Sequence, residues 1–120
     1  MNAFQVYLMV KETERAVIAK SLENYYAVIG LDIEQSERDV TALITSGDIV
    51  VVDISCSLSE QYIKVIRSKT LHVGILILAR ENKDITKLSN ELYDAVIFFP
   101  ISQEELVGNI ERLRARLGNS

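Results

Sequence analysis

Asp53 is the first residue in this sequence that could do chemistry. It ends residues 48–53, DIVVVD, in which four β-branched side chains lie between two acidic ones. Such a short apolar run is typical of a strand buried on both faces of a parallel sheet. In open α/β sheets, ligands and reactive groups lie at the carboxyl ends of the strands. The Asp53 carboxylate is therefore either a functional group at that edge or an ordinary turn residue after a strand.

Other reactive side chains are few. We interpret His72, the only histidine, as a surface loop residue, and Cys56, the only cysteine, as a thiol without a role or, alternatively, a thiol sensor. A single cysteine excludes an intramolecular disulfide and fits a reducing compartment, so we expect a cytoplasmic protein. The sequence has no glycine-rich phosphate loop, nucleophile elbow or metal-ligand cluster. We therefore expect no enzymatic activity.

The composition of the chain limits which classes of protein it could belong to. With 120 residues, 48% of them hydrophobic and 25% charged, the chain suits a single globular domain over residues 1–120. The net charge of -4 gives no electrostatic reason to expect direct nucleic-acid binding. The apolar runs are too short for a membrane span, and the N-terminus has no signal-peptide pattern. We expect neither membrane insertion nor a leader.

The pattern of apolar residues alternates between strands and helices. It predicts strands at residues 4–10, 27–33, 48–54, 73–79 and 95–99. It predicts five helices. The first runs from Glu14 to Tyr25 after a Thr13 cap, with Ile18, Leu22 and Tyr25 inward, and the second runs from Ser36 to Gly47. The third carries Tyr62, Ile63 and Ile66 inward, the fourth starts at Asn82 or Asp84 and continues through Ile85, Leu88 and Leu92, and the fifth follows a Ser102–Glu105 capping box and continues through Leu106, Ile110, Leu113 and Leu117. We predict a flavodoxin-like (βα)5 three-layer fold with a five-stranded parallel sheet in the order 2-1-3-4-5. That order brings Lys11, Glu12 and Asp53 to one crevice.

These residues also resemble the receiver domains of two-component response regulators, over nearly the whole chain. Residues 47–54 are similar to the family's third strand, residues 75–80 to its fourth, and residues 98–106 to its Lys-Pro segment and last helix. The resemblance implies that Asp53 is at the phospho-acceptor position and that the peptide bond before Pro100 is cis. Residues 10–13 fall where the family has an acidic pair.

The departures from the family fall on the positions that handle the phosphoryl group. Lys11 replaces the first acidic residue, Leu78 the Thr or Ser, and Phe99 the Lys, while Glu12 keeps the second acidic position. Leu78 cannot donate a hydrogen bond to a phosphoryl oxygen, and Phe99 cannot neutralise one. We therefore expect an atypical receiver, or pseudo-receiver, that signals through protein interaction without phosphorylation. Alternatives are weak phosphorylation of Asp53 or a small flavodoxin-like ligand-binding protein.

Three expectations about binding follow. We expect no cofactor, although Mg²⁺ held by Glu12 and Asp53 remains an alternative. Lys11 is predicted either to pair with Asp53 in place of the metal or to point into solvent. The partner is expected to be another protein or a fused output domain, or a second copy of the chain. The dimer face would be formed by helix 4, strand 5 and helix 5, with Leu88, Leu92, Glu111, Arg112 and Arg116.

Overall fold

All five predicted strands form one parallel sheet. The structure is a computed structural model that describes residues 4–31, 42–56, 58–69 and 72–118. The strands are β1 (Gln5–Met9), β2 (Ala27–Gly30), β3 (Ile49–Asp53), β4 (Gly74–Ala79) and β5 (Ala95–Phe98). Their order is β2-β1-β3-β4-β5, and every neighbouring pair is parallel. Both the predicted sheet and its order are confirmed.

Helices cover both faces of the sheet, as predicted. The helices are α1 (Glu12–Leu22), α2 (Ser59–Lys69) and α3 (Gln103–Gly118). One hydrophobic cluster packs α2 on the sheet, and the other packs α1 and α3 on the opposite face. Every residue of β3 and β4 is buried, which explains their almost continuous apolar sequences. These two strands form the buried centre of the sheet, with Asp53 at the end of β3 and Arg80 directly after β4.

The first helix differs from its prediction at both ends. It begins at Glu12 rather than Glu14, so Thr13 lies inside it, and Lys11 is the N-cap residue without a side-chain cap bond. Ile18 and Leu22 are buried as predicted. Tyr25 lies beyond the end of the helix, and 58% of its surface is exposed, so its predicted inward position is wrong.

The predicted helix from Ser36 to Gly47 is wrong over its last residues. Residues 32–41 lie outside the described part of the chain, and so does the predicted end of the second strand at Ile33. Residues 42–43 and 46–47 form turns, residues 44–45 are not helical, and Gly47 has a φ of 94° in the left-handed region. Glycine adopts that conformation without the steric cost that a Cβ would bring. Gly47 therefore closes a loop before β3 rather than a helix.

The connection between β4 and β5 is not the helix that we predicted. It contains two short 3-10 helices, Asn82–Asp84 and Asn90–Leu92. The Asp84 carboxylate accepts the amides of Arg80 and Glu81, which caps the start of the first 3-10 helix. The predicted apolar face survives, because Leu88 is buried and Ile85 and Leu92 pack against the same cluster. Ser89 caps the second 3-10 helix through the Glu91 amide, at 3.4 Å.

The last helix agrees with its prediction. Ser102 Oγ accepts the Glu105 amide at 3.1 Å, which satisfies one of the free donors at the helix start. Leu106, Ile110 and Leu113 are buried, and Leu117 packs at the edge of the same cluster. In the described ranges, no helix is both long and apolar enough to cross a membrane.

Candidate functional site

Asp53 lies at the carboxyl end of β3, where it is completely buried. Its Oδ1 accepts two hydrogen bonds from Ser55, one from the amide at 2.9 Å and one from Oγ at 2.7 Å. Its Oδ2 is also buried and has no hydrogen-bond partner in the described parts of the chain. One carboxylate oxygen therefore holds the turn after β3, while the other faces the crevice.

Arg80 is the cation beside this free oxygen. It follows the last residue of β4, and its Nη2 lies 3.7 Å from Asp53 Oδ2. The same Nη2 donates to Glu14 Oε1 at 2.5 Å. The guanidinium carbon lies 4.2 Å from the centroid of the Phe99 ring, which is the geometry of a cation–π contact. One guanidinium thus joins α1, β3 and the segment after β5.

Glu14 is the acidic residue of α1 that reaches the crevice. Its Oε1 binds Arg80, and its Oε2 is buried with no hydrogen-bond partner in the described residues. The hydrogen bond with Glu14 raises the pKa of Arg80, an effect to which the Asp53 charge adds. Glu12, the acidic residue singled out from the sequence, is exposed at the start of the helix. The structure therefore brings together Asp53 and Glu14, not Asp53 and Glu12.

The predicted contact between Lys11 and Asp53 is wrong. Lys11 is exposed, and in the part of the chain that the structure describes no ion pair joins it to Asp53. Its alternative, a lysine that points into solvent, is what the structure shows. The compensating charge instead comes from Arg80, at the end of β4.

The two remaining positions that handle the phosphoryl group in receivers, Leu78 and Phe99, carry apolar side chains in this chain. Leu78 is fully buried opposite Asp53 in the register of β3 and β4. Phe99 packs against the cluster of α1 and α3 and carries the Arg80 guanidinium on its ring. The Phe99–Pro100 peptide bond is cis, as the resemblance to receiver domains implied. Neither Leu78 nor Phe99 offers a side-chain group that could bind an anionic oxygen.

Cys56 and His72 take no part in the contacts of Asp53 and Arg80 described above. Cys56 is 8% exposed and, with Ser55, Glu60 and Lys87, lines an open pocket of about 390 Å³. Burial is the main cause that raises the pKa of the Cys56 thiol, and the Asp53 charge adds to it. A protonated, buried thiol is a poor nucleophile. His72 is exposed just before β4, as predicted for a surface loop residue.

The residues of the crevice do not fit the Mg²⁺ that the resemblance implies. Mg²⁺ requires near-octahedral oxygen ligands. Glu12 is exposed at the helix start, while the Asp53 oxygen that faces the crevice is already next to the Arg80 guanidinium. Among the described residues, no group of three or more histidines, cysteines and acidic residues could hold a metal ion. A divalent ion would have to displace Arg80 before it could reach Asp53.

Sequence reasoning missed two residues that make this site, Arg80 and Glu14. Both leave a signal in the sequence. Arg80 is the first charged residue after the apolar β4 run, at the same sheet edge as Asp53. Glu14 lies four residues before the buried Ile18, so the two share the inner face of α1.

Solved structures share this fold, although no protein-family model and no curated protein sequence matches the chain. A response regulator receiver domain protein from Clostridium thermocellum is 20% identical, with a TM-score of 0.80 and 96% of each chain covered. A CheY-like receiver domain protein from Methanospirillum hungatei is 18% identical, with a TM-score of 0.77 and 98% of each chain covered. NtrX from Brucella abortus, solved with ADP, is 13% identical with a TM-score of 0.76; the match covers 98% of this chain and 27% of NtrX.

These matches span nearly the whole chain and reproduce the strand order 2-1-3-4-5. At identities of 20% or less, they establish the fold and leave the chemistry of the crevice to be judged from this chain's own residues. The chain has the fold of the response-regulator receiver domains.

Proposed function

We propose that this chain is an atypical receiver domain that signals by binding a protein partner without being phosphorylated. The observation that carries the proposal is the state of Asp53, which is completely buried and flanked by the Arg80 guanidinium on its crevice side. A phosphoryl donor would have to reach an oxygen that the fold already covers. The domain would then serve a two-component or related signal-transduction pathway through its surface rather than through its aspartate.

The chemistry of phosphoryl transfer supports the same proposal. Catalysis of this reaction depends on positioning and on charge stabilisation around the transferred group. The two positions that would supply these functions carry Leu78 and Phe99, which are apolar. Arg80 could neutralise an anion, but it is bound to Glu14 and stacked on Phe99. We propose accordingly that the domain has no enzymatic activity of its own and uses no Mg²⁺.

The partner is proposed to dock on the face formed by the two 3-10 helices, β5 and α3. Phe98 on β5 is 38% exposed there. α3 presents Arg116 and other charges of both signs, which suits an isologous contact between two copies or a partner of mixed charge. A fused output domain is the third form of the proposal, because NtrX is a longer chain than its matched region. We propose a cytoplasmic location on the basis of the single thiol.

Acetyl phosphate is the reagent that tests the central claim. We expect the wild-type chain, incubated with acetyl phosphate and Mg²⁺, to keep its mass by intact-mass spectrometry. The Asp53→Asn variant is the matched control, since it removes the acceptor and keeps the shape of the side chain. Stoichiometric addition of one phosphoryl group to the wild type, absent in Asp53→Asn, would overturn phosphorylation independence.

Sedimentation addresses the docking face separately. We expect a weak, concentration-dependent dimer or a complex with a partner, and a loss of association in Arg112→Glu. Lys20→Glu, on the exposed side of α1, is the control for a general effect of charge. A strict monomer at high concentration, with partner binding unchanged by Arg112→Glu, would remove this face from the proposal.

A further inference from the structure

We infer that the Arg80 guanidinium is the resident cation of a two-carboxylate site and takes the place that a divalent ion would need. The site consists of Glu14 on α1 and Asp53 on β3. Two carboxylates that approach one point favour a cation between them. Arg80 supplies that cation from the same chain, so the site requires no ion from solution.

Two buried oxygens define the site. Glu14 Oε2 and Asp53 Oδ2 have no hydrogen-bond partner in the described residues, and each belongs to a carboxylate that faces Arg80 Nη2. Asp53 is completely buried, so this free oxygen is not a surface group that water simply satisfies. Buried carboxylate oxygens are expected to be paired or to bind a cation. Without Arg80 these two oxygens would be available to a divalent cation, and Arg80 is in position to block access to them.

Arg80 is held in this position from two sides. Its ring contact with Phe99 supports the guanidinium at 4.2 Å. Its own backbone amide donates to Asp84 Oδ2 at 3.0 Å, which fixes the start of the segment after β4. The positive charge therefore belongs to the folded framework. A Mg²⁺ ion at the same oxygens would be repelled by a guanidinium that has no neutral form at ordinary pH.

The inference predicts that removal of the guanidinium makes the site respond to divalent ions. Thermal unfolding of the wild type should not change between MgCl2 and NaCl of equal ionic strength. In Arg80→Met, MgCl2 should raise the melting temperature by about 5 °C at a tenfold excess over its Kd, since ligand binding to the folded state shifts the transition. Lys83→Met is the matched control, because Lys83 lies on the same connection but is 77% exposed and, among the described residues, forms an ion pair only with Glu81.

A double variant that also changes Glu14 tests whether Mg²⁺ binds at these two carboxylates. Glu14→Gln combined with Arg80→Met should lose most of the Mg²⁺ effect, because one of the two ligands no longer carries a charge. If Arg80→Met does not fold by itself, restoration of its folding by Mg²⁺ supports the inference, and failure of Mg²⁺ to restore it overturns the inference. Arg80→Lys, which keeps a cation, should fold and ignore Mg²⁺.

Two further results would overturn the inference. One is a wild type whose melting temperature rises with MgCl2 as much as that of Arg80→Met, and the other is an Arg80→Met variant that folds and does not respond. The inference shares its site with the proposed function, but the two fail differently. Phosphorylation of the wild type by acetyl phosphate would contradict the proposed function, whereas the Mg²⁺ dependence of unphosphorylated variants tests Arg80 alone.

Discussion

Replacement of Asp53 by alanine should destabilise the domain by about 1–2 kcal/mol. The change removes both hydrogen bonds that Oδ1 accepts from Ser55. Because Ser55 is exposed, water can replace part of each bond, so the typical net value of about 0.5–1.5 kcal/mol applies to each. The loss is then about 1–3 kcal/mol before any gain. Removal of a buried oxygen that has no hydrogen bond offsets part of it.

The larger penalty known for broken buried ion pairs does not apply here. It amounts to roughly 3–5 kcal/mol because the remaining partner is left as a buried, unpaired charge. Arg80 would not be left unpaired, since its Nη2 keeps the bond to Glu14 and its side chain is 40% exposed. The cost of Asp53→Ala should therefore come from the turn after β3, not from Arg80.

Urea denaturation of three variants checks this explanation. Asp53→Asn keeps an acceptor for Ser55 and should cost less than about 1 kcal/mol. Ser55→Ala removes only the Oγ bond and should lie between the wild type and Asp53→Ala. If Asp53→Asn destabilises the domain as much as Asp53→Ala, the stabilisation comes from the charge of Asp53 and not from its hydrogen bonds in the turn after β3. If Asp53→Ala is as stable as the wild type, neither bond to Ser55 contributes and the reasoning is refuted.

Three further predictions concern other parts of the fold. In urea denaturation, Gly74→Ala should lower the free energy of unfolding by about 1–3 kcal/mol, because its Cβ would lie 2.7 Å from Ile49 Cδ1 in the core. Gly108→Ala, which has open space around it, should raise the free energy of unfolding by about 0.5–1 kcal/mol. Equal effects of the two substitutions would contradict this packing. Burial raises the pKa of Tyr26, and the hydrogen bond from its hydroxyl to Glu111 on α3 raises it further. The stabilisation that this shift brings is therefore complete below the ordinary tyrosine pKa of 10.0 and is lost as the pH rises through the pKa of Tyr26 in the folded protein. Tyr26→Phe should therefore lose less stability than the wild type above that pH, and an identical pH profile would rule this out. Cys56 should react with iodoacetamide far more slowly in the native protein than in urea, because burial raises its pKa and shields it; equal rates would mean that the thiol is open.

The sheet was predictable because its signal is local and strong. The runs that became β3 and β4 are apolar on both faces, and the order 2-1-3-4-5 is the common one for a five-stranded doubly wound sheet. The helix between β4 and β5 was not predictable from periodicity alone. Ile85, Leu88 and Leu92 have helical spacing, but the backbone forms two short 3-10 helices, whose starts are capped by Asp84 and Ser89. Apolar spacing records which residues face the core, and it does not record how side chains compete for the backbone.

At the candidate site, the position of Asp53 was predictable from the sequence, but the cation beside it was not. The position of Asp53 follows from the strand, and its burial follows from the sheet. Which cation lies beside it depends on side-chain length and direction, which the sequence does not specify. Lys11 is closer in the expected topology, yet its position at the start of α1 leaves it exposed, while Arg80 is supported by the Phe99 ring. The resemblance to receivers focused the prediction on the family's own positions, and Arg80 and Glu14 are not among them.

The outer edge of the sheet has a consequence for handling the protein at high concentration. β5, the last strand in the sheet order, has four residues, AVIF, and none is charged. Such a strand is a template for lateral aggregation unless something limits its length. Pro100 has no amide hydrogen to extend the pairing on one side, and the negative Asp94 precedes the strand on the other. We therefore expect the short length of β5, rather than charged residues in the strand, to limit lateral aggregation, and mutations that extend β5 past Asp94 or Pro100 are the ones to avoid in any stabilised variant.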